Sequence, residues 1–130
     1  MAERYEIYKC KICGNLMEIL DGGAGAPACC GEDMTLLKEN GVDASVEKHV
    51  PVPYREERGV KIAVGEVPHP MTAEHYIEWI EMYVGGRLQR VYLKPGDVPA
   101  ASFTCPGECP AGRPIFRAYC NLHGLWKSEG

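Results

Sequence analysis

The stretch that decides the fold is His75-Tyr76-Ile77-Glu78-Trp79-Ile80-Glu81-Met82-Tyr83-Val84, then Gly85-Gly86, then Arg87-Leu88-Gln89-Arg90-Val91-Tyr92-Leu93. Two runs rich in aromatic and β-branched residues joined by Gly-Gly predict a β-hairpin. A helix is the competing reading of 75–84, because Tyr76, Ile80 and Tyr83 share a helical face. The Gly-Gly turn and the β-branched content outweigh it. Working outward, Val46, Lys48, Val50 and Val52 alternate with Glu47, His49 and Pro51, a strand pattern. Val60–Val64 reads as a short strand between Gly59 and Gly65. Lys94-Pro95-Gly96-Asp97 is a turn, Ile115–Tyr119 a strand, and Leu125–Lys127 a last short one. Several short strands separated by turns predict a small antiparallel sandwich.

With 130 residues, the chain has room for one ordinary domain, or one plus a very small one. Apolar residues make up 45% and charged residues 25%, with 15 glycines and 10 prolines, which fits a folded, loop-rich protein. The net charge of −4 and the lack of a long basic run argue against a nucleic-acid partner. Met1–Glu6 lacks the apolar stretch of a secretory signal, and no segment approaches the roughly 20 apolar residues that span a bilayer. The expectation is a soluble cytoplasmic protein without a membrane partner. There, seven cysteines read as metal ligands or redox groups before structural disulfides.

Four of those cysteines open the chain. Cys10-Lys11-Ile12-Cys13-Gly14 is a Cys-x-x-Cys knuckle, and Cys29-Cys30-Gly31 follows the Gly22-Gly23-Ala24-Gly25 loop. Four thiolates in a segment too short to build much apolar core predict a metal cross-link, with zinc and iron equally suited by ligand type. Adjacent ligands at Cys29 and Cys30 would strain a tetrahedron, since neighbouring side chains tend to point apart. A vicinal disulfide is the weaker alternative. Leu36–Gly41 marks the exit from this unit, which places a small metal-binding domain at 1–37 and the sandwich at 38–130.

All four histidines lie in the second domain: His49, His69, His75 and His123. Cys120 stands three residues before His123 in Tyr119-Cys120-Asn121-Leu122-His123-Gly124. Taken singly, each histidine is more often a surface residue and a lone cysteine an inert buried thiol. Together, at predicted loops and strand ends that a sandwich brings to one edge, they form a candidate metal site. Imidazoles and one thiolate suit iron, zinc, copper or nickel; zinc prefers four ligands, and five donors with a sixth position free suit iron better.

Cys10-x-x-Cys13, Cys29-Cys30, Glu47-Lys48-His49, His69, His75-Tyr-Ile-Glu-Trp and Cys120-Asn-Leu-His123-Gly together resemble desulfoferrodoxin, the two-iron superoxide reductase family, through nearly the whole chain. The resemblance implies a desulforedoxin- or rubredoxin-like N-terminal domain whose four cysteines bind one iron. It also implies an immunoglobulin-like antiparallel β-sandwich with a second iron. There His49, His69, His75 and His123 would be equatorial ligands and Cys120 the axial one. The implied activity is one-electron reduction of superoxide to hydrogen peroxide without release of dioxygen, with rubredoxin or a similar carrier as electron donor, in a homodimer. Lys48 would attract the anion and help place a proton donor. Glu47 would correspond to the family glutamate that can occupy the open position after product leaves. Backbone amides of Leu122 and His123 would hydrogen-bond the Cys120 sulfur.

One stretch departs from the family pattern: Phe103-Thr104-Cys105-Pro106-Gly107-Glu108-Cys109-Pro110-Ala111-Gly112. Cys105 and Cys109 read as incidental reduced thiols or as a reversible disulfide pair. The rival to the enzyme reading is a non-catalytic electron-transfer or metal-binding protein whose second site is closed or holds zinc.

Overall fold

The Gly85-Gly86 hairpin is present in the computed structural model, which describes residues 2–41, 44–104 and 113–130. Both glycines have positive φ, 56° and 78°, as a two-residue type I′ turn requires, and Val84 pairs with Arg87 across it. Cys105 and Cys109 lie outside the described residues. The chain divides into two units, Met1–Lys38 and Glu39–Gly130.

The first unit holds β1 (Ile7–Lys9), β2 (Leu16–Glu18), β3 (Ala28–Cys29), β4 (Glu32–Asp33) and β5 (Thr35–Leu36). They form an antiparallel sheet in the order β2-β1-β5 and a separate β3-β4 pair. Its buried apolar cluster is Ala2, Tyr8, Cys10 and Met34. A core this small, with a cysteine inside it, needs a cross-link to stand on its own.

The second unit holds α1 (Val46–His49), β6 (Pro51–Glu56), β7 (Gly59–Val64), β8 (Ile77–Val84), β9 (Arg87–Tyr92), β10 (Ala100–Thr104), β11 (Ile115–Cys120) and β12 (Gly124–Glu129). A three-stranded sheet, β10-β7-β6, faces a four-stranded one, β12-β11-β8-β9, and every pairing is antiparallel. Ile62, Val64, Ala101 and Phe103 from one sheet pack with Ile77, Ile80, Met82, Phe116 and Ala118 from the other. This is the mainly β, sandwich-type architecture that the strand spacing predicts. Cys120 belongs to the same cluster and is fully buried at the end of β11.

One expectation needs correction, and one strand adds to those read from the sequence. The alternating pattern at 46–52 is not a strand throughout. Residues 46–49 form a helical turn closed by Val50 N–H donating to Val46 O at 3.1 Å, and extended structure begins only at Pro51. The turn buries His49 while Glu47 and Lys48 remain exposed, which an extended chain reaches by a different route. Strand β10 is the addition: Ala-Ala-Ser-Phe-Thr offers few large β-formers. It forms because its Ala101 and Phe103 face the core beside β7. Among the described residues, no helix is long and apolar enough to cross a membrane.

The opposite face of the four-stranded sheet carries a buried ionic network. Glu81 pairs across the ladder with Arg117 on one side and Arg90 on the other. Arg117 donates to Glu81 Oε2 through Nε at 2.7 Å, and Arg90 donates to Oε1 through Nε at 3.0 Å. Glu81 is completely buried and Arg117 nearly so. Removing the carboxylate would break the buried pair and leave Arg117 to its longer ion pair with half-buried Glu39, at 3.6 Å; breaking a buried pair costs about 3–5 kcal/mol. Glu81→Ala is therefore expected to lower the unfolding free energy of the second unit by about that amount in urea titrations. An unchanged midpoint would contradict this account of the network.

Candidate metal centres

The N-terminal knuckle is built by backbone hydrogen bonds. Cys10 N–H donates to Asn15 O and Gly14 N–H to Cys10 O, and Gly14 takes a φ of 82° to close the loop. The closure aims the N–H groups of Ile12 and Cys13 at Cys10 Sγ, at 3.4 and 3.5 Å. These amides, Cys13's first, hold the Cys10 thiol down to about 6. Cys30 is pushed up to about 12, chiefly by its hydrogen bonds with the Cys13 and Cys29 sulfurs. Four thiolates so close together are stable only around a cation, and the sulfurs of Cys10, Cys13, Cys29 and Cys30 all lie within 4.8 Å of one another.

Adjacent Cys29 and Cys30 reach one site because Cys30 adopts a left-handed backbone, φ 52°, followed by Gly31 at 76°. That conformation offsets the tendency of neighbouring side chains to point apart. Their sulfurs are 3.8 Å apart, so no vicinal disulfide is formed.

The second group draws on four segments. Helix α1 supplies His49, the loop after β7 supplies His69, the segment before β8 supplies His75, and the β11–β12 hairpin supplies Cys120 from the end of β11 and His123 from its loop. Close backbone approach joins the first two segments. Val67 N–H donates to Glu47 O at 2.9 Å, and a Cβ on Gly65 would sit only 2.5 Å from that same oxygen. In the β11–β12 hairpin, Cys120 pairs with Gly124, whose φ of 81° lets three residues close the loop.

The four imidazoles form a ring of perpendicular neighbours. Centroids of His49 and His69, His69 and His75, His75 and His123, and His123 and His49 are 4.6, 4.7, 5.0 and 4.9 Å apart. The His49–His75 diagonal is 6.3 Å. Ligand atoms of His49, His69, His75 and Cys120 lie within 4.8 Å of one another, and His123 Nδ1 is 4.0 Å from Cys120 Sγ.

Hydrogen bonds fix which nitrogens face inward. A carbonyl can only accept, so His49 Nδ1–H donates to Ser45 O at 2.6 Å and His69 Nδ1–H to Pro70 O at 2.7 Å. In neutral rings both Nε2 atoms then carry bare lone pairs, yet they face each other at 3.2 Å. His49 Nε2 also faces His123 Nδ1 at 3.1 Å, and His75 Nε2 is buried without a hydrogen-bond partner. Burial is the main reason that His49, His69 and His75 are held below the ordinary imidazole range, His69 down to about 4. Neutral rings with convergent lone pairs are a cation site made of three Nε2 atoms, one Nδ1 and a sulfur.

Burial pushes the Cys120 thiol up, while the N–H groups of His123 and Leu122 pull it back toward the thiolate. The His123 amide lies 3.4 Å from the sulfur. Lys48 is exposed one residue from His49, and its charge adds to the forces keeping His49 and His75 neutral. The carboxyl of Glu47, also exposed, is held below its usual range mainly by its own backbone N–H. One contributor escaped the sequence reading. Trp126 is buried, stacks on His49 at 4.8 Å and donates its indole N–H to His123 O at 2.9 Å. Only its position three residues after a ligand hinted at this.

Known proteins share this organisation. The desulfoferrodoxin family model matches residues 41–129, and the model of the desulfoferrodoxin N-terminal domain matches residues 2–37. A desulfoferrodoxin of Syntrophotalea carbinolica is 52% identical over the full length of both chains. One of Nitratidesulfovibrio vulgaris is 49% identical over 99% of each. The crystal structure of the superoxide reductase from Treponema pallidum superposes with a TM-score of 0.74 at 31% identity, covering 95% of this chain and 97% of that one.

Gly65→Ala is expected to displace the His49 turn and weaken cobalt(II) binding at the histidine group on the order of tenfold. The four-cysteine group should keep its affinity in the same titration. Equal loss at both groups, or none at either, would contradict the close-approach argument.

Proposed function

The chain belongs to the desulfoferrodoxin family, and from that premise we propose that it is a superoxide reductase with two iron centres, each carried by one unit. Residues 1–37 hold the first through Cys10, Cys13, Cys29 and Cys30. Residues 38–130 hold the second through His49, His69, His75, His123 and Cys120. The observation that carries this reading is the set of neutral imidazoles whose lone pairs converge beside a single buried sulfur. When bound at the second site, ferrous iron supplies one electron to superoxide, which takes up two protons and leaves as hydrogen peroxide.

The chain's own residues prepare that chemistry. Ser45 O and Pro70 O hold His49 and His69 in the tautomers that leave Nε2 free. The amides behind Cys120 offset part of the burial that pushes its thiol up, and so reduce the cost of the thiolate that a bound metal would need. Lys48, exposed beside His49, draws the anionic substrate in and orders a water that delivers protons to it. A local positive charge can do this although the whole chain carries −4. Glu47 covers the same face once product has gone. Superoxide binds on the side of the histidine ring opposite Cys120.

Rubredoxin or a similar carrier returns the electron, and the resemblance drawn from the sequence implies a homodimer. Five free cysteines among the described residues, grouped as ligands, support a reducing, cytoplasmic setting.

Cys120→Ser should abolish the visible charge-transfer band of the second centre and leave the four-thiolate spectrum intact. Persistence of that band would remove Cys120 from the ligand set. Lys48→Ile should slow superoxide attack in pulse experiments on the order of tenfold without loss of iron, as expected when a steering charge is removed. An unchanged rate would exclude Lys48 from the mechanism.

A further inference from the structure

Of the three histidines whose Nε2 faces the site, His75 alone makes no ring hydrogen bond among the described residues. His49 and His69 are oriented through Nδ1 by backbone carbonyls, whereas among the described residues no such Nδ1 bond is found for His75, whose Nε2 is buried without a partner. Apart from its edge contacts with the His69 and His123 rings, its position is set by the backbone. On one flank, Thr72 brackets the residue: Thr72 N–H donates to His75 O at 2.9 Å, and His75 N–H donates to Thr72 Oγ1 at 3.1 Å.

On the other flank, the contacts come from Asn121, in the loop that carries Cys120 and His123. Tyr76 N–H donates to Asn121 Oδ1 at 2.9 Å, Asn121 Nδ2 donates to Glu74 O at 3.0 Å, and Asn121 N–H donates to Tyr76 O at 3.2 Å. All three reach residues on either side of His75. In a continued antiparallel ladder, Tyr76 N–H would find the backbone carbonyl of residue 121. The chain leaves the ladder after Cys120 to close a three-residue loop, and the register has already shifted between Tyr119 and Cys120. The side-chain carboxamide stands in for the missing carbonyl. Its two ends match a donor and an acceptor, so its orientation is fixed by the network.

We propose that Asn121 is a positioning residue that sets the spacing between His75 and the Cys120–His123 pair by extending the β8–β11 ladder with its side chain. It touches no ligand atom and acts on the second site through the backbone of 74–76. The assignment rests on the reading of that site as an iron centre only for its effect on metal retention. The clamp itself is a property of the polypeptide.

The test uses the full-length, iron-loaded chain. Hydrogen exchange should find the Tyr76 amide as protected as the central amides of β8. Exchange at the rate of an open loop would overturn the proposal, whether or not iron is bound. In Asn121→Ala, protection at Tyr76 should be lost. Iron should also leave the second centre to a chelator about tenfold faster, the usual consequence of removing an outer support. The four-cysteine centre of the same molecule serves as the internal reference.

Asn121→Asp keeps the acceptor for Tyr76 N–H and should retain that amide's protection, with iron release between the other two chains. Equal release from all three chains would overturn the proposal, as would equal impairment of the Asp and Ala variants. If Asn121→Ala fails to fold, the Asp variant and the exchange measurement on the unaltered chain still decide it. Absence of iron from the second centre of the unaltered chain would instead count against the functional reading and leave the exchange result standing.

Discussion

Two backbone carbonyls, Ser45 O and Pro70 O, determine what the histidine cluster can hold. By accepting the Nδ1–H of His49 and His69, they leave two Nε2 lone pairs facing each other across 3.2 Å. Two acceptors at that distance repel unless something positive lies between them. A proton there would have to overcome burial, which holds both rings neutral. A metal ion has no such difficulty, and the remaining imidazoles and the Cys120 sulfur complete its surroundings. The fold's task is to keep these lone pairs aimed inward when no single segment of the chain could do so.

The sandwich meets that task at one end. Strands β7, β8, β11 and β12 deliver or flank the ligands, and the core beneath them includes Cys120 itself. Burial raises the cost of the thiolate, and the amides of the tight β11–β12 loop reduce it. The same loop therefore carries the sulfur, tunes it and, through Asn121, reaches across to the segment bearing His75. Trp126 closes the arrangement by stacking on His49 and tying down the backbone of His123. The N-terminal knuckle solves a simpler problem, because four thiolates converge from two short turns closed by left-handed residues, Gly14 in one and Cys30 with Gly31 in the other.

Much of this was legible in the chain. The Gly85-Gly86 hairpin was readable because few residues besides Gly, Asn and Asp tolerate the positive φ that a type I′ turn needs at both central positions. The ligand types were readable because cysteines and histidines are few and grouped. What stayed hidden depended on tertiary context. Val46–His49 alternates like a strand, yet folds as a helical turn because His49 must reach the cluster while Lys48 stays in water. Strand β10 is weak by composition and is recruited by β7. The tautomers of His49 and His69 depend on carbonyls that no side-chain pattern encodes. The role of Asn121 is hidden in the chain because its partners lie 45 and 47 positions away.

The central claim is that the second site reduces superoxide and does not dismutate it. The most direct measurement feeds a steady flux of superoxide to the reduced, iron-loaded protein while hydrogen peroxide, dioxygen and reductant are followed together. The account predicts one peroxide formed and one electron drawn from the reductant for each superoxide consumed, with no dioxygen evolved by the protein. Dioxygen released in proportion to peroxide, with the reductant untouched, would contradict it.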